Sequence, residues 1–276
     1  MNFLMPIRPL GIGNIEVEAL DSFFARIAFA HGITLLQMSR LLNDWAKKNT
    51  AITGDIDEFS DVGSSRCSLA GFTDWTDSII KILSKATGDE NIVRTTFMAL
   101  KGAAASTAIQ TVKSHRAWCN ECLAEAIVEK SQFYDRLIWR ASPIVRCLTH
   151  HTALITNCRK CGELQRHAHK SGQMSLCWKC SESLVFANKT ASTVIDEVWG
   201  EAECISVVKA ISNGELTKSK QSAFDTFIIE FRSIIKKKGL SGPFSEVVRL
   251  QSLGAEQKPS LTRMIQISKA SGVSIL

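Results

Sequence analysis

Seven of the nine cysteines in this 276-residue chain fall between positions 119 and 180, and six of them form Cys-x-x-Cys pairs: Cys119/Cys122, Cys158/Cys161 and Cys177/Cys180. The seventh, Cys147, stands three residues before His150 and makes a Cys-x-x-His pair. Two residues between donors let a tight turn aim both side chains at one metal ion, while the turn's N–H groups hydrogen-bond the sulfurs. Four pairs supply eight donors, enough to close two tetrahedral zinc sites. Sequential pairing puts Cys119, Cys122, Cys147 and His150 in site 1 and Cys158, Cys161, Cys177 and Cys180 in site 2. A cross-brace, in which the first and third pairs share a metal, is the alternative. His151 is a second choice for the imidazole, but only His150 keeps the two-residue gap. His167 and His169 sit in a polar stretch, QRHAHKSGQ, that reads as loop.

Other cysteine chemistries fit less well. A disulfide framework belongs to an oxidising compartment and usually to a smaller chain. A thioredoxin-like pair should occur once rather than three times. A catalytic zinc keeps one position open for water, whereas here all eight donors are used, and no HxE or HExxH sequence offers a general base. The expectation is two structural zinc ions and no catalytic residue. Cys67 and Cys204 stand alone and read as small, semi-buried residues.

The segments that must position these donors are helical. Residues 17–30 place Leu20, Phe23/Phe24, Ile27 and Ala30 at helical spacing, His31-Gly32 interrupts them, and a second helix runs from about Leu35 to Lys47. Helix, short turn and helix outline a helix-turn-helix, although with Arg26 and Arg40 as its basic residues packing is favoured over DNA reading. Residues 50–73 read as loop, Asp74-Trp75-Thr76-Asp77 as a helix start, and Ile92–Leu100 as another helix. Beyond the last cysteine pair, helices are expected over Thr217–Lys238, Phe244–Leu253 and Leu261–Ala270, the last introduced by Pro259-Ser260. The final stretch also resembles the last helix and turn of phage-repressor helix-turn-helix domains. The expected fold is mainly α: a helical, helix-turn-helix-like part over 1–112, a tandem zinc-ribbon or knuckle module over 113–186, and a helical part over 187–276.

Net charge is +6, and its distribution matters more than its sum. Residues 113–170 carry ten Lys/Arg against five Asp/Glu, and 217–276 carry ten against four, so basicity gathers in the zinc segment and the C-terminal sixty residues. That suits contact with phosphate backbones, for which Lys236, Lys237, Lys238, Arg249, Lys258, Arg263 and Lys269 are the candidates. No apolar run reaches the roughly eighteen residues that span a bilayer, and the N-terminus lacks the pattern of a signal peptide. A bacterial cytoplasmic location, where thiols stay reduced, is the expectation.

The order of residues around the donors resembles the TniQ/TnsD family of transposon target-selection proteins. Near the N-terminus the resemblance rests on Pro6, Pro9, Glu16, Ser22, Arg26-Ile27-Ala28 and His31-Gly32. In the centre it rests on Arg116-Ala117-Trp118-Cys119, Cys122-Leu123, Tyr134, Trp139, Cys147, His150, Leu154, Cys158, Cys161-Gly162, Cys177, Cys180 and Leu184. It covers roughly 5–45 and 114–186. Asn120 and Leu148 stand where the family often has Pro, and His151 where it usually has Gly; no ligand is lost. The resemblance implies a non-catalytic adaptor linking a target-recognising element, either DNA or an RNA-guided CRISPR effector complex, to an AAA+ ATPase regulator of transposition. It is also compatible with a homodimer. The alternative function is a free-standing zinc-containing DNA-binding transcriptional regulator that reads DNA with its C-terminal helices.

Overall fold

Between positions 20 and 28, Leu20, Phe23, Phe24, Ala25, Ile27 and Ala28 recur at helical spacing and give one broad apolar face that must be buried. In the computed structural model, which describes residues 3–49, 68–104, 111–186, 200–216, 233 and 259–271, this segment is helix α1, Leu20–Ala30. Every residue from Leu20 to Ala28 is buried, including Asp21, Ser22 and Arg26. Helix α2, Leu35–Asn49, opens with a capping box in which Gln37 N–H donates to Thr34 Oγ1 at 3.2 Å and Thr34 N–H donates to Gln37 Oε1 at 2.8 Å. It buries Leu35, Met38, Leu42 and Ala46 and leaves Leu36 and Leu41 exposed. Helix α3, Asp74–Thr87, starts at Thr73, whose hydroxyl accepts from Thr76 N–H, and ends at a left-handed Gly88.

The helix expected over Ile92–Leu100 is instead two 3₁₀ turns, Glu90–Thr95 and Met98–Leu100. The reason is local. Thr95 Oγ1 donates to Ile92 O at 2.6 Å and Thr96 Oγ1 to Val93 O at 2.7 Å, so paired hydroxyls take the carbonyls that an α-helical ladder would need. Two helices lie outside the expected set: α4, Asn120–Val128, and α5, Glu201–Asn213. The last, α6, Leu261–Ser271, follows Pro259-Ser260 as expected. The helices expected over Thr217–Lys238 and Phe244–Leu253 lie outside the described residues. Among those described, strand structure is limited to isolated bridges, including Glu18↔Arg136 and Trp118↔Ile155.

One apolar cluster joins these pieces, with Phe23 and Phe24 of α1, Met38 of α2, Leu83 of α3, Trp118 and Trp139 of the cysteine-rich segment, Ile211 of α5 and Ile265 of α6. At Gly200, the left-handed cap of α5, an added Cβ would lie 2.6 Å from Ile265 Cγ2, so α6 packs directly on that turn. Glu201 in the first turn of α5 is clasped by Arg146, whose Nε and Nη2 donate to Oε2 at 3.0 and 2.5 Å. The carboxylate thereby also faces the positive end of the α5 dipole.

A chain of buried charges runs through the same core. Arg116 donates to both oxygens of Asp135, at 2.7 and 2.9 Å, Arg140 Nη2 donates to Asp135 at 2.9 Å, and Arg140 Nε donates to Asp21 at 3.1 Å. Ser68 Oγ and Leu69 N–H, both at 2.6 Å, complete the shell of Asp21. All four charged side chains are at most 3% exposed. A separate pair, Glu18 and Arg26, is closed by Ser22 Oγ, which donates to Glu18 and accepts from Asp135 N–H.

His167 sits against this chain, 3% exposed, with no hydrogen bond to either ring nitrogen. Burial pushes its pKa down to about 4, against the pull of Asp21 and with help from Arg140. An unfolded histidine titrates near 6.5, so between about pH 6.5 and 4 only the unfolded chain takes up this proton. Stability therefore falls as pH drops through that window, by about 2 kcal/mol between pH 7 and 5, and this contribution levels off below 4. Denaturant midpoints in saturating zinc should show His167→Phe losing less stability than the wild type between pH 7 and 5. Parallel losses would exclude the histidine as the cause.

Candidate metal centres

Three of the four donor pairs are built alike. In each, the N–H of the residue after the second donor bonds back to the carbonyl of the first: His151 to Cys147 at 2.9 Å, Gly162 to Cys158 at 2.8 Å, Ser181 to Cys177 at 3.0 Å. In each, the first cysteine N–H bonds to the carbonyl five residues on, that of Thr152, Glu163 or Glu182, at 2.8 to 2.9 Å. The bridges Arg146↔Ala153, Asn157↔Leu164 and Leu176↔Ser183 flank these turns. Closing such a knuckle forces the residue after the second donor into the left-handed region, with φ of 56° at His151, 69° at Gly162 and 55° at Ser181. Glycine adopts this conformation without strain; histidine and serine do not. His151→Gly should therefore stabilise the protein by about 0.5–1 kcal/mol, raising Tm by a few degrees at unchanged metal content. A lower Tm would mean that the His151 side chain contributes a contact outweighing the strain.

The first pair is different. Cys119 caps α4 and Cys122 lies in its first turn, with Leu123 N–H bonded to Cys119 O at 3.2 Å. Its donors are therefore fixed by a helix start instead of a knuckle.

The eight donors converge in two groups, Cys119, Cys122, Cys147 and His150, and Cys158, Cys161, Cys177 and Cys180, each with its donor atoms within 4.8 Å of one another. The pairing is sequential, with no cross-brace, and His150 rather than the exposed His151 faces the sulfurs. The edges of the two groups test whether zinc fits. Zn–S bonds of about 2.3 Å and Zn–N bonds of about 2.0 Å at tetrahedral angles require edges of about 3.8 Å between sulfurs and about 3.5 Å between sulfur and nitrogen. In site 1 the Cys122–Cys147 sulfurs lie 3.7 Å apart, and His150 Nδ1 lies 3.4, 3.3 and 3.7 Å from Cys119, Cys122 and Cys147. In site 2 the Cys158–Cys180 and Cys161–Cys177 edges are 3.8 and 3.7 Å. The donor sets fit zinc, with every corner supplied by the protein.

The thiols do not shift alike: burial and neighbouring cysteines push those of Cys119, Cys122, Cys158 and Cys180 up, while those of Cys147 and Cys177 are brought down. The Cys147 thiol is held well below the usual range by Cys119 and Cys122, aided by the N–H groups of His150 and Thr149. Burial pushes the Cys177 thiol up, but the N–H groups of Cys180 and Lys179 outweigh it and bring it to about 6. Gln165, itself buried, donates Nε2–H to Cys177 Sγ at 3.4 Å and accepts from Trp178 N–H at 3.1 Å. Site 2 is the more open, with Cys161 and Cys180 at the surface. Its knuckles grip each other through reciprocal ion pairs, Lys160 with Glu182 and Lys179 with Glu163. The loop between them docks on the N-terminal helices: Leu35 N–H donates to Lys170 O at 3.0 Å, and at Gly172 a Cβ would collide with the carbonyl of Ala25. His167 and His169 belong to this loop, and neither joins a donor group. Cys204 is buried in α5.

A family model, TniQ, matches residues 9–154, more than half of the chain. The chain belongs to the TniQ family. No curated protein matches it. TniQ proteins are accessory factors of transposition that act in target selection, and the TniQ domain is a non-catalytic one. The matched span contains all of site 1 and stops before Cys158, so site 2 rests on its own geometry. One departure from the TniQ pattern has a structural use: Asn120 donates Nδ2–H to Phe186 O at 3.2 Å and accepts Phe186 N–H at 3.1 Å, a two-point link from α4 to the end of site 2 that proline cannot make. Of the candidate phosphate-binding residues, Arg263 is half-buried and Lys269 exposed, both on α6, while Lys236, Lys237, Lys238, Arg249 and Lys258 lie outside the described residues. Among the described residues, no helix is long and apolar enough to cross a membrane.

Proposed function

We propose that this chain is a target-selection adaptor that holds two structural zinc ions and connects a target-recognising element, DNA or an RNA-guided CRISPR effector complex, to an AAA+ regulator of transposition. TniQ membership carries this reading. The donor groups support it, because both tetrahedra are completed by protein atoms and leave no corner for water or substrate. In this reading the metals hold surfaces rather than do chemistry. The division at residues 112 and 186 then separates a helical, helix-turn-helix-like part, the zinc module and a helical C-terminal part. The bacterial cytoplasm, with its reduced thiols, is the compartment that suits the eight ligands. Arg263 and Lys269, with Lys236, Lys237, Lys238, Arg249 and Lys258, are the proposed phosphate contacts, and each one lost should reduce the slope of log affinity against log salt by about one unit.

Co-purification of the zinc-loaded protein with the AAA+ ATPase of its transposon tests the adaptor role, together with mapping of insertion sites after deletion of this protein. Association and altered insertion are the expected results. Failure of both would sink the proposal. Sequence-specific duplex binding by the chain alone, with insertion unchanged, would point to the free-standing regulator.

A further inference from the structure

Helix α4 carries more of site 1 than its two cysteines. Cys119 and Cys122 are followed, three residues on, by Glu125, which gives the spacing Cys-x-x-Cys-x-x-Glu and places Cys122 and Glu125 on one face of the helix. Glu125 reaches across to the opposite knuckle, where its Oε1 lies 2.9 Å from His150 Nε2. The other ring nitrogen, Nδ1, is the one facing the three sulfurs, at 3.3 to 3.7 Å. An imidazole that gives its Nδ1 lone pair to a metal must carry its proton on Nε2, and that N–H is what a carboxylate at this distance accepts.

We propose that Glu125 is the positioning residue of site 1, fixing His150 as an Nδ1 donor by accepting its Nε2–H, so that one helix supplies two ligands and the orientation of a third. The inference rests on site 1 holding zinc, not on the transposition reading. The arrangement explains why His150 serves although histidine, unlike cysteine, offers two donor atoms and two ring orientations. It also ties the knuckle to α4 at a second point, beside the Thr152 hydroxyl that donates to Glu121 at 3.0 Å. Site 2, with four thiolates, has no imidazole to orient and needs no such residue.

The carboxylate of Glu125 is 58% exposed, so replacing it leaves the core intact. The experiment is zinc competition with a colorimetric chelator on the full chain, comparing wild type, Glu125→Ala and Glu125→Gln, with elemental analysis of each before titration. Glu125→Ala should weaken one of the two zinc ions by about 10- to 100-fold and leave the other unchanged. Glu125→Gln, whose Oε1 still accepts from Nε2–H, should recover most of that loss. In ¹⁵N-correlated spectra of the histidine rings, the His150 Nε2–H signal, protected in the wild type, should exchange faster in Glu125→Ala. Unchanged affinity in Glu125→Ala would overturn the proposal, as would an equal loss in Ala and Gln variants. A wild-type content below two zinc ions per chain would overturn it as well.

Discussion

Cys147→Ser is expected to reduce the zinc content from two ions to one per chain and to unfold the segment around site 1. Cys147 is fully buried and supplies the first sulfur of its knuckle, 3.7 Å from Cys122. A serine hydroxyl does not ionise near neutral pH, so the site would keep three donors and lose its closed shell. Structural zinc contributes on the order of 10 kcal/mol to folding in small domains, comparable to the entire net stability of a typical protein. The knuckle also carries Arg146 to Glu201 of α5 and Thr152 to Glu121 of α4, and Trp118 of the core precedes the first ligand, so the damage should spread into both flanks. Cys180→Ser is the comparison. It removes a surface ligand of site 2, where ion pairs across the knuckles remain, so it should lose one ion with a smaller fall in Tm. Elemental analysis with circular-dichroism melting reads both, and partner binding should vanish in Cys147→Ser. A wild-type content near one zinc per chain would contradict the two-site assignment outright.

The donors were legible in the sequence because their signal is local: two residues between ligands suffice to form a turn, and sequential pairing needs little more. Helices α1, α2, α3 and α6 were legible for a similar reason, since apolar periodicity lies within each segment, joined at α2 and α3 by the capping residues Thr34 and Thr73. Helix α5 carried the signal too, with Cys204, Val207, Val208 and Ile211 at helical spacing, but its short stripe between polar residues did not stand out. The 3₁₀ turns over 90–100 escaped because apolar spacing there agrees with a helix while two adjacent threonine hydroxyls work against it. The buried charges were the least legible. Arg140 and Asp21 lie 119 positions apart, and a charged residue read alone belongs at the surface. The resemblance had picked out Ser22, Arg26 and Arg116 without a role for them, and the structure supplies one in the two ion clusters. Glu125 shares their history, as a glutamate on a short helix that acquires meaning only when His150 is brought opposite it.

Asp135→Asn is expected to cost about 3–5 kcal/mol, because it leaves two buried guanidiniums around an uncharged side chain. Asp135 is fully buried and accepts three hydrogen bonds from Arg116 and Arg140, which are themselves 1% and 0% exposed. Asparagine keeps the shape but replaces one carboxylate oxygen with an N–H₂ that must face a cation. The sharper test is to restore the balance. Arg116→Met with Asp135→Leu removes one positive and one negative charge and leaves Arg140 with Asp21, so the double variant should be more stable than Asp135→Asn alone. Denaturant midpoints at fixed free zinc measure this, and a single variant within 1 kcal/mol of wild type would show that the network contributes little. Zinc content at low denaturant should stay at two ions in every variant, since no ligand contacts Asp135. That outcome would separate two devices: on the proposed reading zinc fixes the knuckles internally, while the ion chain fixes where they sit against the N-terminal helices.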